Sequence, residues 1–265
     1  MNAIIRNNKI PLGLLTMLVA LLAITGCSKG DSPNNTIPEV PQVPETPIAD
    51  LYYKVHRISN LSAGSVTENP TDETQPFLYS LRTQKIIAND RSKSIHWDIS
   101  FGKTLHSFVG GNNGKDSHNI SNGSAGKGGI LILEKAFDDV VDIPDDNLFR
   151  TATDIIGADK LGDFGDGIGW YIYDYSGTII GDGSKEKEHV AYALPNGLKT
   201  VAAGTVSPRT LVLRLANGDY AKIRMLSLYK DLLDPITWVK TSPKSYFTFD
   251  YLVVPAGSKK FTIKS

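Results

Sequence analysis

The chain has 265 residues, with 28 basic and 28 acidic side chains and a formal net charge of zero. That length is enough to bury a proper core, and without a basic block the chain has no electrostatic footprint for nucleic acid, whose binding rests on phosphate neutralisation. One cysteine, Cys27, excludes an internal disulfide and a cysteine-rich zinc site.

The first segment reads as an address. Arg6 and Lys9 precede an apolar run from Ile10 to Thr25 that ends in Gly26-Cys27, the basic, apolar, small-residue order of a secretory signal. The run would span about 24 Å as a helix, short of the ~20 residues that cross a bilayer comfortably. Ile24-Thr25-Gly26-Cys27 resembles the bacterial lipobox, which implies cleavage before Cys27 and lipidation of its sulfur, palmitate included. Residues 1–26 are therefore expected to be a lipoprotein signal peptide, and the loss of Arg6 and Lys9 leaves the mature chain nearly neutral. Ser28 after the cysteine is not the aspartate that signals inner-membrane retention, so the expected location is the outer membrane, surface-exposed.

Residues 27–50 carry Pro33, Pro38, Pro41, Pro44 and Pro47, a spacing that forbids helix and favours extended polyproline II. A stalk of this kind reaches roughly 70 Å. From Leu51 to the C-terminus, residues 51–265, apolar residues come in short runs bounded by Gly, Asn, Asp and Pro, which predicts an all-β domain of antiparallel sheet with long hairpins and glycine-rich loops.

Expected strands are Leu51 to Ser59, Phe77 to Leu81, Ser94 to Phe101, Gly129 to Glu134, Gly169 to Tyr173, Thr210 to Leu215, Tyr220 to Tyr229, Tyr246 to Val254 and a last one near Lys260 to Ile263. The clearest hairpin turns at Asn217-Gly218. In its second arm Ala221, Ile223 and Met225 alternate with Tyr220, Lys222 and Arg224, which predicts one buried and one wet face. At most two short helices are expected, at Glu134 to Val141 and Leu228 to Leu233. Long glycine-rich segments at Gly110 to Gly129 and Gly157 to Gly169 are expected to frame any site.

Motifs of familiar chemistry fail on inspection. Gly123 to Gly128 lacks the Walker spacing and its Ser/Thr after the lysine. Asp163-Phe164-Gly165 has no kinase context. The acidic clusters at Asp138 to Asp146 and at Asp163 and Asp166 do not follow the EF-hand order and read as solvated carboxylates. No GxSxG elbow and no HExxH is present, so enzymatic activity is not expected. Of the five histidines, His56 and His96 fall in expected strands, whereas His106, His118 and His189 lie in or beside loops.

Three stretches together resemble the HmuY family, lipid-anchored haem-binding proteins of Bacteroidetes-type bacteria. They are Ile95-His96-Trp97-Asp98-Ile99-Ser100-Phe101 with its following glycine loop, Gly169-Trp170-Tyr171-Ile172-Tyr173, and Arg209 to Asp231, followed by Tyr246 to Tyr251 as a closing strand. The resemblance implies a haemophore working beside a TonB-dependent receptor, with haem as its cargo and iron acquisition as its purpose. It also implies two histidine ligands, one before and one just after the Gly-Trp stretch. Here residues 148–168 contain neither His nor Met, and the later position is Tyr175. The candidate haem ligands are therefore His189, an imidazole further along the same loop, and Tyr175, a ligand only as phenolate; no other metal site is assigned. The competing reading is a structural or adhesive surface lipoprotein that binds protein or glycan on the same scaffold.

Overall fold

The computed structural model describes residues 45–64, 75–201 and 204–264. The expected signal peptide, the lipidated Cys27 and the stalk up to Pro44 lie outside the described residues. At the start of the description Glu45 pairs with Arg91 at 3.0 Å, and Ile48 donates its N–H to Arg82 O and packs on the core.

Thirteen strands make up the described fold: β1 (Val55–Ser62), β2 (Phe77–Ser80), β3 (Lys85–Ile87), β4 (Ile99–Gly102), β5 (Phe108–Gly111), β6 (Gly129–Leu133), β7 (Tyr171–Asp174), β8 (Val190–Ala193), β9 (Leu198–Thr200), β10 (Gly204–Val206), β11 (Thr210–Arg214), β12 (Tyr220–Tyr229) and β13 (Lys244–Val254). They form a five-stranded sheet in the order β1-β13-β12-β11-β6, a four-stranded sheet β3-β2-β4-β5, and the pairs β7-β8 and β9-β10. Every strand pair is antiparallel. The fold is all-β, as its short, turn-bounded apolar runs require.

The main core fills the space between the two larger sheets. Phe101 of β4 packs on Phe247 and Phe249 of β13 with ring centroids 4.6 and 6.3 Å apart, and Tyr79 of β2 meets Phe249 edge-on at 6.3 Å. Leu211, Leu213, Ile223 and Met225 complete the inner face of the five-stranded sheet. Trp170, Tyr171, Tyr173 and the whole of β8 extend this core to the β7-β8 pair. The hairpin of β11 and β12 closes at Asn217-Gly218 with Leu211 opposite Ile223 and Arg214 opposite Tyr220, the register that the alternation demands.

Several expectations are corrected. No α-helix forms at 134–141, which is a turn, nor at 228–233, where Leu228 and Tyr229 finish β12 and the chain leaves as coil; Pro235–Thr237 is a single 3-10 turn. The strand expected near Lys260 is one isolated bridge, Asp142 to Lys260. Strands β3, β5, β8, β9 and β10 were not expected; β5 lies partly inside the segment read as a glycine loop. Glycine is required there because a Cβ on Gly111 would sit 2.8 Å from the Gly129 backbone nitrogen.

The outer face of the five-stranded sheet is covered around Lys222, while Arg57 and Arg224 further along it stay partly exposed. Residues 134–149 and 255–261 fold over it, and Phe137, Val140, Phe149 and Phe261 pack on Val212, Leu252 and Val254 in a second apolar cluster. Lys222, at a position where alternation predicts solvent, is 2% exposed. Its ammonium donates to Phe137 O at 2.7 Å and Val140 O at 3.0 Å and lies 4.4 Å from the Phe137 ring centroid, so its charge is met by carbonyl dipoles and a ring face.

Candidate functional site

The segment 157–169 is held at its base by one buried ion pair. Asp159 accepts Arg209 Nη2 at 2.9 Å, and its two oxygens also accept the N–H groups of Leu161 and Gly169 at 3.0 Å. Arg209 further reaches Glu134 at 3.0 Å. Gly169 must be glycine, since a Cβ there would stand 2.3 Å from Gly157 O and from the Asp159 nitrogen. The tip of the loop is strapped to β7: Asp163 N donates to Tyr173 O and the Asp163 carboxylate accepts the Tyr175 N–H, both at 2.8 Å.

This geometry leaves Phe164 at the tip, 78% exposed, with φ of +61°. Its ring lies 5.6 Å from Tyr175, edge-on, and 6.0 Å from Tyr173. Between loop and strand opens a cleft of about 270 Å³ lined by Phe108, Ala158, Phe164, Tyr171, Tyr173 and Tyr175, with Thr104 and Asp163 as further polar members. Its walls are chiefly aromatic, the make-up of pockets that hold flat, apolar ligands.

Antiparallel register explains why the two sequence candidates meet. Asp174 of β7 is opposite Val190 of β8, so Tyr175 and His189 are each one residue beyond the paired ends. Their rings contact edge to face, 4.8 Å apart at 81°. Asp174 accepts the N–H groups of Thr178 and Ile179 at 3.0 and 2.9 Å and closes the excursion that separates them in sequence.

His189 itself does not line the cleft. It touches two residues that do, and its Nδ1 lies 2.9 Å from Tyr173 Oη. Burial pushes the His189 imidazole below its ordinary value, and Lys240 adds to the effect. Burial also pushes the Tyr173 hydroxyl up to about 12, helped by Tyr175 and Asp163. Both groups are thus neutral at neutral pH, joined by one hydrogen bond.

The fit to haem is partial. Two axial ligands must stand on opposite faces of a porphyrin, and rings in direct contact, as Tyr175 and His189 are, leave no slot between them. A cleft of about 270 Å³ falls below the usual span of ligand-pocket sizes, roughly 300–1,000 Å³, so a porphyrin would be held by one edge and would displace Phe164.

Sequence reasoning missed Tyr173, which read as a strand interior; the signal available was the aromatic alternation of Tyr171, Tyr173 and Tyr175. Of the two glycine-rich segments only 157–169 borders the cleft. Residues 112–128 instead form tight turns around the buried Asn112, Asn113 and Asn119, whose amides donate to backbone carbonyls. The remaining histidines stand elsewhere: His56 stacks on Tyr251 at 5.2 Å, His96 and His106 are buried, and His118 is exposed beside Asp116. Asp138, Asp139, Asp142, Asp145 and Asp146 are exposed, and no cluster of metal-ligating side chains occurs among the described residues. A larger hollow of about 520 Å³ beside β2 and β3 includes His106 and is bounded by Ala63 and Gln75, which flank a stretch outside the described residues; the aromatic cleft is walled by described residues.

No family model matches the chain. No curated protein matches it. Among solved structures it is similar to a Bacteroides fragilis protein described as a lipoprotein, at 15% identity over 80% of this chain and 96% of the other, with a TM-score of 0.33. It is also similar to a Bacteroides vulgatus protein described as an HmuY-like heme-binding protein, at 16% identity over 75% of this chain and 90% of the other, with a TM-score of 0.31.

Proposed function

We propose that the chain is a non-enzymatic, lipid-anchored protein of the outer membrane that captures haem at its surface and passes it to a TonB-dependent receptor. Anchorage is through Cys27, and the proline-rich segment between Cys27 and Glu45, where the chain docks on the domain, serves as the spacer. The observation that carries the reading is the aromatic cleft between the Gly157–Gly169 segment and β7, at whose rim Tyr175 and His189, the two residues singled out by the HmuY resemblance, come into ring contact. A flat apolar ring system stacks on Phe164, Tyr173 and Tyr175, and tyrosine and histidine are both iron ligands.

The modest cleft volume supports a second reading, in which a sugar ring stacks on the same aromatics and the protein is a structural or adhesive lipoprotein. Haemin titration of the detergent-solubilised full chain, with detergent alone as the blank, separates the two. The haem reading predicts a saturable Soret shift at one haem per chain, weakened about tenfold by Phe164→Ala. A featureless titration, or one that Phe164→Ala leaves unchanged, contradicts it.

A further inference from the structure

We propose that residues 160–167 are a hinged lid on the aromatic cleft, latched to β7 by Asp163 and lifted when ligand enters. The inference rests on the haem reading above and deepens it by naming the motion that admits the ligand, since the closed cleft would hold a porphyrin only by one edge, with Phe164 in its path.

The base of the loop and its tip are held in different ways. At the base the buried Asp159 carboxylate is shared among Arg209, the Leu161 N–H and the Gly169 N–H, and Trp170 N donates to Gly157 O at 3.0 Å beside them. Buried, charge-assisted bonds of this kind do not give way to an entering ligand. Above them Lys160 N donates to Gly167 O at 2.8 Å, which closes a neck and makes the residues beyond it one body. Gly167 has φ of +96°, and a Cβ there would meet nothing within 4 Å, so it is free to take up a rotation.

Among the described residues, two hydrogen bonds fasten the tip to β7 and its end, and Asp163 makes both. Its N–H donates to Tyr173 O and its carboxylate accepts the Tyr175 N–H, each at 2.8 Å. Phe164 and Tyr175 beside them are exposed, so water competes for the latch as it does not for the base. Phe164 closes the cleft from a left-handed backbone, φ +61°, which a bulky side chain rarely adopts. Lifting the tip releases that strain and withdraws the Phe164 wall from Tyr173 and Tyr175, against which it now packs.

Amide hydrogen exchange of the detergent-solubilised full chain, read residue by residue, tests the lid, with Gly169 and Trp170 as the reference for the base. The expected result in wild type is exchange at Asp163 and Tyr175 about tenfold or more faster than at Gly169 and Trp170. Asp163→Ala unties Tyr175, and it should also speed exchange of the N–H at position 163 by about tenfold, although the acceptor of that N–H, Tyr173 O, is untouched. Gly169 and Trp170 should keep their rates in this variant, which certifies that it is folded. Asp163→Asn retains a side-chain oxygen for Tyr175 and should exchange like wild type. Haemin should associate about fivefold faster with Asp163→Ala than with wild type or Asp163→Asn. Exchange at Asp163 as slow as at Gly169, or unchanged in Asp163→Ala, overturns the lid, and an unaltered haemin association rate overturns its role as the gate. Haemin that fails to bind wild type overturns the haem reading alone, because the exchange rates decide the lid without it.

Discussion

Arg209 and Asp159 face each other at 2.9 Å, both almost fully buried, and they join the start of β11 to the base of the loop that carries Phe164. Asp159 also caps two loop N–H groups, so one carboxylate sets the loop's path. Arg209→Met would leave that carboxylate buried without its cation. The expected cost is about 3–5 kcal/mol, read as a lower urea midpoint at unchanged m-value; a loss below about 1 kcal/mol would show that the pair does not hold the loop base.

Gly169→Ala tests the same loop from its other end. A methyl group there meets the backbone of residues 157–159 at 2.3 Å, and backbone cannot give way as a side-chain tip can. The loop should detach, so that limited proteolysis cuts within residues 157–169 while the sheet resists. A variant as protease-resistant as wild type would contradict the close approach.

Lys222→Met probes the covered outer face of the large sheet. The substitution relieves the burial of a charge, but it strands the carbonyls of Phe137 and Val140 that the ammonium now satisfies. An unpaired buried acceptor costs about 1–3 kcal/mol, so the net loss should be on the order of 1–3 kcal/mol, with faster amide exchange at 137–140. Were the face wet, as its alternation suggests, the same substitution would change stability by less than about 0.5 kcal/mol.

Two buried histidines make stability depend on pH in a defined direction. Burial lowers the folded-state values of His96 and His106 beneath the ordinary one of about 6.5. Below that pH the unfolded chain therefore binds more protons than the folded one, and stability is full above it and lost as the pH falls through it. The melting temperature should be several degrees lower at pH 5.5 than at pH 7.5. His189 is lowered in the same direction, so a His96→Gln, His106→Gln double variant should lose part of that difference; an undiminished difference would assign it elsewhere.

What the sequence revealed depended on whether each signal was local. Tyr220–Tyr229 and the Asn217-Gly218 turn were legible because alternation and turn chemistry lie within one hairpin. The fate of Lys222 was not, because the residues that cover it arrive from 85 and 82 positions away, and a lysine in an alternating strand reads as solvent-facing. Strand β5 was hidden by Gly110-Gly111, residues of low β-propensity whose lack of a side chain lets Gly110 pack on the backbone of Thr153 and Asp154 and Gly111 on that of Gly129. Tyr175 and His189 were both singled out, yet their contact follows from pairing with β8, a four-residue strand too short to stand out in the sequence. Tyr173 was passed over because a buried strand tyrosine is ordinarily packing, and only its hydrogen bond to His189 separates it from its neighbours.

The central claim is that ligand binds between the 157–169 loop and β7, and hydrogen–deuterium exchange of the full chain with and without haemin tests it most directly. The account predicts slower exchange confined to residues 158–175 and 189–191, with the β11-β12 hairpin unchanged. Protection elsewhere, or none in that segment at saturating haemin, would contradict it.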